Sequence, residues 1–336
     1  MEESMGSLEI GNVKAAPGTR VFGEISVGRH PAGGDLAMPL TVINGKKDGP
    51  VLWINSCIHG DEPQGPLASI FLTQEVDPQE LSGALVLVPA MNVPAFEAHK
   101  RGNPLDMFSY DMNRVYPGSP DGRFTERLAW AHREALVAAA DMEISIHSGG
   151  DHSFLSKTIF RAPTDASLEL AQAMGKGWDL LLLSPHPKGS PMAELNDQGK
   201  PAISVELGGS CHYMPRDFRE DGRALADAVL NVMYHYKMLP GTPEYEGKWY
   251  TGSQQAVLAG TSGLWLAEPD FEFKKHSKKG DVFAKIYDLQ GRVLEQIKAP
   301  ADGMPFGLRT TAPTHAGDWA IFYAILDGSI DKLANQ

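Results

Sequence analysis

Short apolar runs alternate, over the first two thirds of the chain, with segments whose apolar residues recur every three or four positions. The runs 51–56, 85–88, 142–147 and 201–207 are too short for typical helices, and most have Gly or Pro nearby, which predicts buried strands. The longer periodic spacing predicts helices at 67–76, 125–140, 167–174 and 219–237. Strands that alternate with helices and have apolar interiors predict an α/β fold, with a mixed, mostly parallel sheet covered by helices on both faces.

The pattern changes after Pro240, where short strand-like runs separated by Gly-containing turns replace the helical segments. This change predicts a smaller all-β unit at the C-terminal end, with a boundary near residues 240–246. We therefore divide the chain into a loose, polar and Gly-rich N-terminal arm, a catalytic domain and a C-terminal β domain. The predicted ranges are 1–20, 21–243 and 244–330.

Composition excludes several functional classes. A length of 336 residues, with 42% hydrophobic and 21% charged residues, is typical of a folded protein with one large domain or two. The net charge of −12 would repel phosphate backbones, so we expect no nucleic-acid partner. No apolar run reaches the roughly 18 residues of a membrane helix, and the first residues lack a secretory signal pattern. The two cysteines, Cys57 and Cys211, are expected to be buried thiols, and a cytoplasmic location is expected.

Chemically capable side chains follow three of the predicted strands. His59 and Glu62 come after the first, His147 ends the third, and Glu206 lies on the fourth. In α/β sheets such residues meet at the carboxyl ends of the strands. The three-residue spacing of His59 and Glu62 lets both face one point about 2 Å away, and His147 would complete an open His2Glu zinc site. The hypothesis fails if the nearest ring nitrogens of the two histidines are more than ~8 Å apart.

Further residues are suited to hydrolysis at such a site. Glu206 would act as the general base toward water and then protonate a leaving amine. The adjacent Asn113 and Arg114 offer an amide and a guanidinium that can bind a substrate carboxylate. Arg101 could polarise the scissile carbonyl and stabilise its oxyanion.

Taken together, the motifs resemble the succinylglutamate desuccinylase/aspartoacylase family, a branch of the zinc carboxypeptidase superfamily. The resemblance extends over residues from about 50 to 210, and the C-terminal unit extends it nearly to the end of the chain. The motifs occur in the same order as in that family: His-Gly-Asp-Glu, Asn-x-Pro-Ala-Phe, Arg, Asp-x-Asn-Arg-x-Tyr-Pro-Gly, Ile-His-Ser-Gly-Gly and Glu-Leu-Gly-Gly.

The resemblance implies a role for each matching residue and a barrel-like C-terminal domain. It implies one zinc ion per chain, a catalytic glutamate and a carboxylate-binding pair, with the residues named above in these roles. It adds Asp111 as the partner that orients a ligand imidazole. Tyr213 is a candidate for an extra hydrogen bond to the reaction intermediate. One position departs from the pattern, because Ser145 stands where many members have Asp two residues before the second histidine.

These features predict a zinc-dependent deacylase that hydrolyses the amide of a small N-acyl amino acid or N-acyl amine. The expected partner is a small N-acylated carboxylate, with no nucleic acid and no membrane, and the chain could form a homo-oligomer. Two alternatives remain open at this point. One is a metallocarboxypeptidase that acts on short peptides, and the other is a relative that binds metal or ligand without catalysis.

Overall fold

The computed structural model describes residues 5–108, 110–186, 188–209 and 215–331, with 215 and 216 described by their backbone alone. The helices are α1 (Gln64–Glu75), α2 (Val93–Glu97), α3 (Phe124–Ala139), α4 (Asp165–Ala173), α5 (Pro191–Asp197) and α6 (Pro215–His235), with short 3-10 turns at Met112–Arg114 and Gly150–His152. Within these ranges, no helix combines the length and apolar character that a membrane span requires.

Strands make up most of the remaining regular structure. They are β1 (Leu8–Ile10), β2 (Val13–Ala15), β3 (Thr19–Arg29), β4 (Asp35–Asn44), β5 (Lys47–Ser56), β6 (Ser82–Val88), β7 (Met142–His147), β8 (Ser153–Arg161), β9 (Leu180–Leu183), β10 (Ala202–Gly208), β11 (Lys248–Leu258), β12 (Gly263–Ala267), β13 (Val282–Tyr287), β14 (Val293–Lys298), β15 (Gly303–Arg309), β16 (Pro313–Thr314) and β17 (Trp319–Asp331).

One large sheet dominates the fold, in the order β15-β17-β11-β9-β8-β10-β7-β5-β6-β4-β3. The α/β class and the mixed sheet are confirmed, but the expectation of a mostly parallel sheet is not met. Five of the neighbouring pairs are parallel and five are antiparallel. The antiparallel pairs come mainly from β3, β4 and β8, which the apolar-run pattern did not indicate, and from the C-terminal strands.

The apolar runs are strands because both faces of the central sheet are covered by helices. On β5, Leu52 and Ile54 contribute to the core beneath α1, α4 and α6, whereas Val51 and Trp53 contribute to the core on the other side, with α3 and α5. All four side chains are buried. This two-sided burial explains why the sequence shows a continuous apolar run there instead of an alternating pattern.

The N-terminal segment is packed against the sheet. A loose arm was expected at 1–20, but β1 and β2 form an antiparallel hairpin. Ile10, Val13 and Ala15 are buried within the core formed by the outer part of the sheet. The overall polar and Gly-rich composition of this segment therefore gave no indication of these three buried apolar positions.

The C-terminal residues form a β-rich unit that is continuous with the main sheet. β12, β13, β14 and β16 form a separate four-stranded sheet, whereas β11, β15 and β17 extend the large one. β15 also pairs with β8, which closes β8, β9, β11, β17 and β15 into a ring. The hydrogen bonds between β9 and β11 join strands on the two sides of the predicted boundary at 243/244. The division of the chain into two domains at that point stays a prediction.

Closure of this ring generates a prediction about cooperativity. Gly307 lies opposite Leu155 in the β15–β8 pairing, and a Cβ atom there would stand 2.3 Å from the Leu155 side chain. We expect Gly307→Val to destabilise the chain by about 1–3 kcal/mol through overpacking, within a single unfolding transition. Coincident near-UV and far-UV circular dichroism melts would measure this. Gly247→Val, where a Cβ atom meets no other atom within 4 Å, is the control, and a separate early transition in Gly307→Val would contradict the expectation.

Candidate active site

Three adjacent parallel strands bring the predicted site residues to one edge of the sheet. β5 pairs with β7, and β7 pairs with β10, so their carboxyl ends lie side by side. His147 and Glu206 occupy paired positions in this register. Neighbouring strands are about 4.8 Å apart, so the two residues are close even though 59 positions separate them in sequence.

The loop between β5 and α1 carries His59 and Glu62 in a compact turn. The Glu62 amide donates to the His59 carbonyl at 3.3 Å, and the Asn92 amide donates to the Cys57 carbonyl at 3.0 Å, which ties the loop to the start of α2. Gly60 is needed here because a Cβ atom would lie 2.0 Å from the backbone of Ala95. The Gly in the His-Gly-Asp-Glu motif thus permits close packing that turns both ligand candidates inward.

Glu62 stands between the two histidines. Its Oε1 lies 2.7 Å from Nδ1 of His59, and its Oε2 lies 3.0 Å from Nδ1 of His147. All three side chains are buried. One ligand atom from each residue lies within 4.8 Å of the other two, well inside the limit set above. Two imidazole nitrogens and a carboxylate oxygen at these distances could hold one metal ion bound at about 2 Å from each donor, after small side-chain adjustments.

The outward nitrogens of both rings have partners that set their orientation. His59 Nε2 lies 3.1 Å from Oδ1 of Asp111, as the family pattern implied. His147 Nε2 lies 3.4 Å from Oγ of Ser145, at the position where the sequence departs from that pattern. With partners at Nε2, both Nδ1 atoms are directed at the same point, where they contact Glu62 and could give up hydrogen to bind a metal ion. The serine contact is longer, so the orientation of His147 is the weaker of the two.

Burial and neighbouring charges push the pKa values of the two site glutamates in opposite directions. Burial alone would raise the pKa of the Glu62 carboxyl, but His59 and His147 hold it well below its usual range. Burial, reinforced by the negative charge of Glu62, raises the pKa of Glu206 well above its usual range, although Arg101 opposes this. The first carboxyl is therefore suited to act as an ionised ligand, and the second is suited to carry a proton.

Glu206 has the freedom that a proton carrier needs. Its Oε2 is buried and has no hydrogen-bond partner among the residues described. An unpaired buried carboxyl oxygen is costly unless a ligand or water meets it. The side chain lines the same cavity as His59, Glu62 and His147, so this oxygen is available to a molecule bound there.

The cationic side of the site comes from the loop that follows α2. Arg101 donates to Oδ2 of Asp111 at 3.0 Å and lies 3.3 Å from Nδ1 of His59. Asp111 also accepts from the Asn113 amide, which begins the 3-10 turn that carries Asn113 and Arg114. Asp111 therefore links the ligand histidine, Arg101 and the predicted carboxylate-binding pair. All of them except Asp111 line the cavity directly.

The structure adds residues to which the sequence assigned no role. His186 Nε2 lies 3.0 Å from Nη2 of Arg114, in a loop that the sequence offered no means of placing. Asp61 accepts from the Asp151 amide at 3.1 Å and so fixes the turn that follows His147. The position of Asp61 within the His-Gly-Asp-Glu motif is the feature of the sequence that could have indicated this role. Tyr213 and Cys211 lie outside the described residues.

The cavity has a volume of about 530 Å³ and is lined on one side by the residues discussed above. This volume lies within the range of small-molecule sites, roughly 300–1,000 Å³. Its polar end therefore has room for a compact organic substrate beside the His-Glu-His cluster.

Comparisons with known proteins identify a matching family model. Residues 48–233 match the family model for the succinylglutamate desuccinylase/aspartoacylase catalytic domain, which is more than half of the chain. The chain belongs to this family. The matched range contains every predicted ligand, base and carboxylate-binding residue.

Relatives of the family extend the likeness over most of the chain. The N-alpha-acetyl-L-2,4-diaminobutyric acid deacetylase of Halomonas elongata is 26% identical over 85% of this chain and 85% of its own. The ectoine utilization protein EutE (DoeB) of Ruegeria pomeroyi has a similar fold, with a TM-score of 0.79, 24% identity, and coverage of 91% of this chain and 95% of its own. A succinylglutamate desuccinylase from Silicibacter sp. TM1040 has a TM-score of 0.79 and 23% identity, covering 92% and 95%.

The Asp111 contact predicts a specific loss of metal affinity. Asp111→Asn keeps the size of the side chain but weakens its acceptance of the His59 Nε2 hydrogen. We expect affinity for Zn²⁺ to fall about 10- to 100-fold. Competition with a chromophoric chelator measures this, with Asp121→Asn, an exposed aspartate, as the matched control. Equal affinities in the two variants would show that Asp111 does not support the ligand.

A second buried carboxyl beneath the site predicts a pH effect on stability. Burial raises the pKa of Glu143 to about 8, although the 2.5 Å hydrogen bond from Asn55 opposes the rise. Unfolding between about pH 5 and 8 would therefore release a proton, so the free energy of unfolding should fall as pH rises, by up to ~1.4 kcal/mol per pH unit. Glu143→Gln should flatten this dependence in urea unfolding, unlike the exposed-site control Glu80→Gln. An unchanged slope in Glu143→Gln would refute the assignment.

Proposed function

We propose that this protein is a zinc-dependent hydrolase that removes the acyl group from a small N-acyl amino acid or N-acyl amine. The observation that carries the proposal is the convergence of His59, Glu62 and His147 beside Glu206 in one cavity. Family membership supports the reaction class, since the relatives are named for deacetylation and desuccinylation. One zinc ion per chain is part of the proposal, whereas the cytoplasmic location and a homo-oligomer stay predictions.

The donor set of two imidazoles and one carboxylate suits zinc with a remaining position for substrate or water. A zinc ion held there would supply Lewis-acid activation of a water molecule and of the scissile carbonyl. The thiol of Cys57 is buried and donates to the Glu62 carbonyl, so it stabilises the turn and is not among the candidate ligands.

The protein side chains would then divide the proton and charge transfers among them. Glu206 would take a proton from the attacking water and deliver it to the nitrogen of the leaving amine, so that the amine departs neutral. Arg101, whose Nη1 is 3.8 Å from Glu62 Oε1, would donate to the carbonyl oxygen as negative charge develops on it. Asn113 and Arg114 would hold the substrate carboxylate, with His186 supporting the guanidinium.

Replacement of the base tests this assignment. We expect Glu206→Gln to lower kcat for N-acyl amino acids about 10²- to 10⁴-fold, because the amide cannot shuttle the proton. Zinc content should stay at one ion per chain by elemental analysis. Glu80→Gln, an exposed glutamate on the surface, is the control and should retain wild-type turnover.

The same assays distinguish the alternatives. Normal turnover by Glu206→Gln would overturn the role of this residue. Faster hydrolysis of dipeptides than of N-acyl amino acids by the wild type would favour a carboxypeptidase. A zinc-loaded protein without activity on either class would favour a binding protein.

A further inference from the structure

The cavity that contains the His-Glu-His cluster has a second, apolar end. The residues there are aromatic or aliphatic and belong to β8, α5 and the C-terminal strands. They are Leu155, Phe160, Met192, Phe306, Trp319 and Phe322. The strands that carry most of them, β8, β15 and β17, belong to the closed ring in which the C-terminal part joins the main sheet.

The apolar end directly adjoins the strand that carries the predicted base. Phe160 on β8 is paired with Ser204 on β10, and Ser204 precedes Glu206 by two residues, so both β10 side chains point to the same face. Ser204 and Glu206 both line the cavity. The aromatic surface therefore begins one strand away from Glu206.

The rings of Trp319, Phe322, Phe306 and Phe160 pack against one another and line the cavity, and we call this surface the aromatic wall. Trp319 stacks on Phe322 with ring centroids 4.0 Å apart and an interplanar angle of 12°, and Phe322 lies nearly parallel to Phe306 at 6.0 Å. Phe160 meets Phe306 edge-on at 6.1 Å. Phe306 is only 1% exposed, which marks it as the back of the wall. Trp319 and Phe322 are partly exposed, so their surface is available to a bound molecule.

Charge is distributed unevenly between the two ends. The acidic and basic lining residues come from the ligand cluster and the adjacent β10, from the loops of Arg101, Arg114 and His186, and from the 3-10 turn before β8. Among the described residues, β11, β15 and β17 contribute uncharged lining residues, namely Gln254, Phe306, Trp319 and Phe322. A charged substituent placed against Trp319 and Phe322 would lose hydration without gaining an ionic partner from the lining residues of β11, β15 or β17, which is unfavourable. A flat apolar substituent would stack on the exposed ring faces and displace water.

We propose that this cavity selects N-acyl amino acids that carry an aromatic group in addition to their carboxylate. The inference rests on the proposed function and adds the substrate class. The carboxylate lies at Asn113 and Arg114, the amide lies beside Glu206, and the aromatic group packs against the exposed surfaces of Trp319 and Phe322. The aromatic group can belong to the acyl part or to the amino-acid side chain, and the test separates these two sources.

The test compares kcat/KM for four substrates: N-acetylphenylalanine, N-benzoylalanine, N-acetylalanine and N-acetylaspartate. The kcat/KM of at least one aromatic substrate should exceed that of N-acetylalanine by about tenfold or more, which is the scale of discrimination that apolar pockets achieve. The better of the two aromatic substrates identifies the part of the molecule that reaches the wall. Rates on N-acetylalanine or N-acetylaspartate equal to or above those on both aromatic substrates would overturn the proposal.

Variants of Trp319 connect the preference to the wall. Trp319→Ala should reduce the ratio of aromatic to N-acetylalanine kcat/KM about tenfold, whereas Trp319→Phe should keep most of it, because a ring remains. Phe22→Ala removes a ring that is 66% exposed on β3, far from the cavity lining, and should leave the ratio unchanged. A ratio that is the same in Trp319→Ala and the wild type would refute the role of the wall.

A binding measurement separates failure of this inference from failure of the proposed function. Of the six tryptophans in the chain, Trp319 is the one that lines the cavity in the described ranges. N-acetylphenylalanine or N-benzoylalanine should change the tryptophan emission of the wild type at lower concentration than N-acetylalanine, and Trp319→Phe should lose this change. A Trp319-dependent change without hydrolysis would support the aromatic subsite and overturn the deacylase proposal. Hydrolysis of all four substrates without such a change would overturn the subsite and leave the deacylase proposal intact.

Discussion

The carboxylate of Glu62, held between the Nδ1 atoms of His59 and His147, is the interaction on which the rest of the site depends. A buried carboxylate is costly unless positive or hydrogen-bonding partners surround it. The two imidazoles supply these partners, and the Ser148 amide donates a further hydrogen bond at 3.2 Å. This requirement explains why the loop after β5 and the end of β7 must approach each other so closely.

The surrounding polar groups follow from that constraint. Asp111 and Ser145 orient the two rings, and Arg101 balances the negative charge of Asp111 at the rim. Glu206, next to His147 in the strand register, experiences the negative charge of Glu62, and its Oε2 has no hydrogen-bond partner among the described residues. One electrostatic arrangement therefore shifts the pKa values of the two carboxyls in opposite directions, which suits the roles of ligand and proton carrier proposed for them.

The C-terminal strands give this centre its shape. Because β15 pairs with β8, the ring of strands places Phe306 and Phe322 against the same cavity as Glu206. The proposed catalytic centre is thereby joined to aromatic rings on β15 and β17, which lie about 100 positions after Glu206 in the chain. The β-rich unit thus contributes to the size and polarity of the cavity.

The sequence by itself determined the α/β class, the principal strands and helices, and the order of the ligand, base and carboxylate-binding candidates. These features depend on local apolar periodicity and on residues at strand ends, such as His147 and Glu206, which are visible without knowledge of strand pairing. Only the tertiary structure decided the antiparallel half of the sheet, the contact between Arg114 and His186, and the closure that brings Trp319 to the cavity. The physical reason is that hydrogen-bond register and loop packing join distant segments, and the local pattern of each segment is compatible with many such pairings.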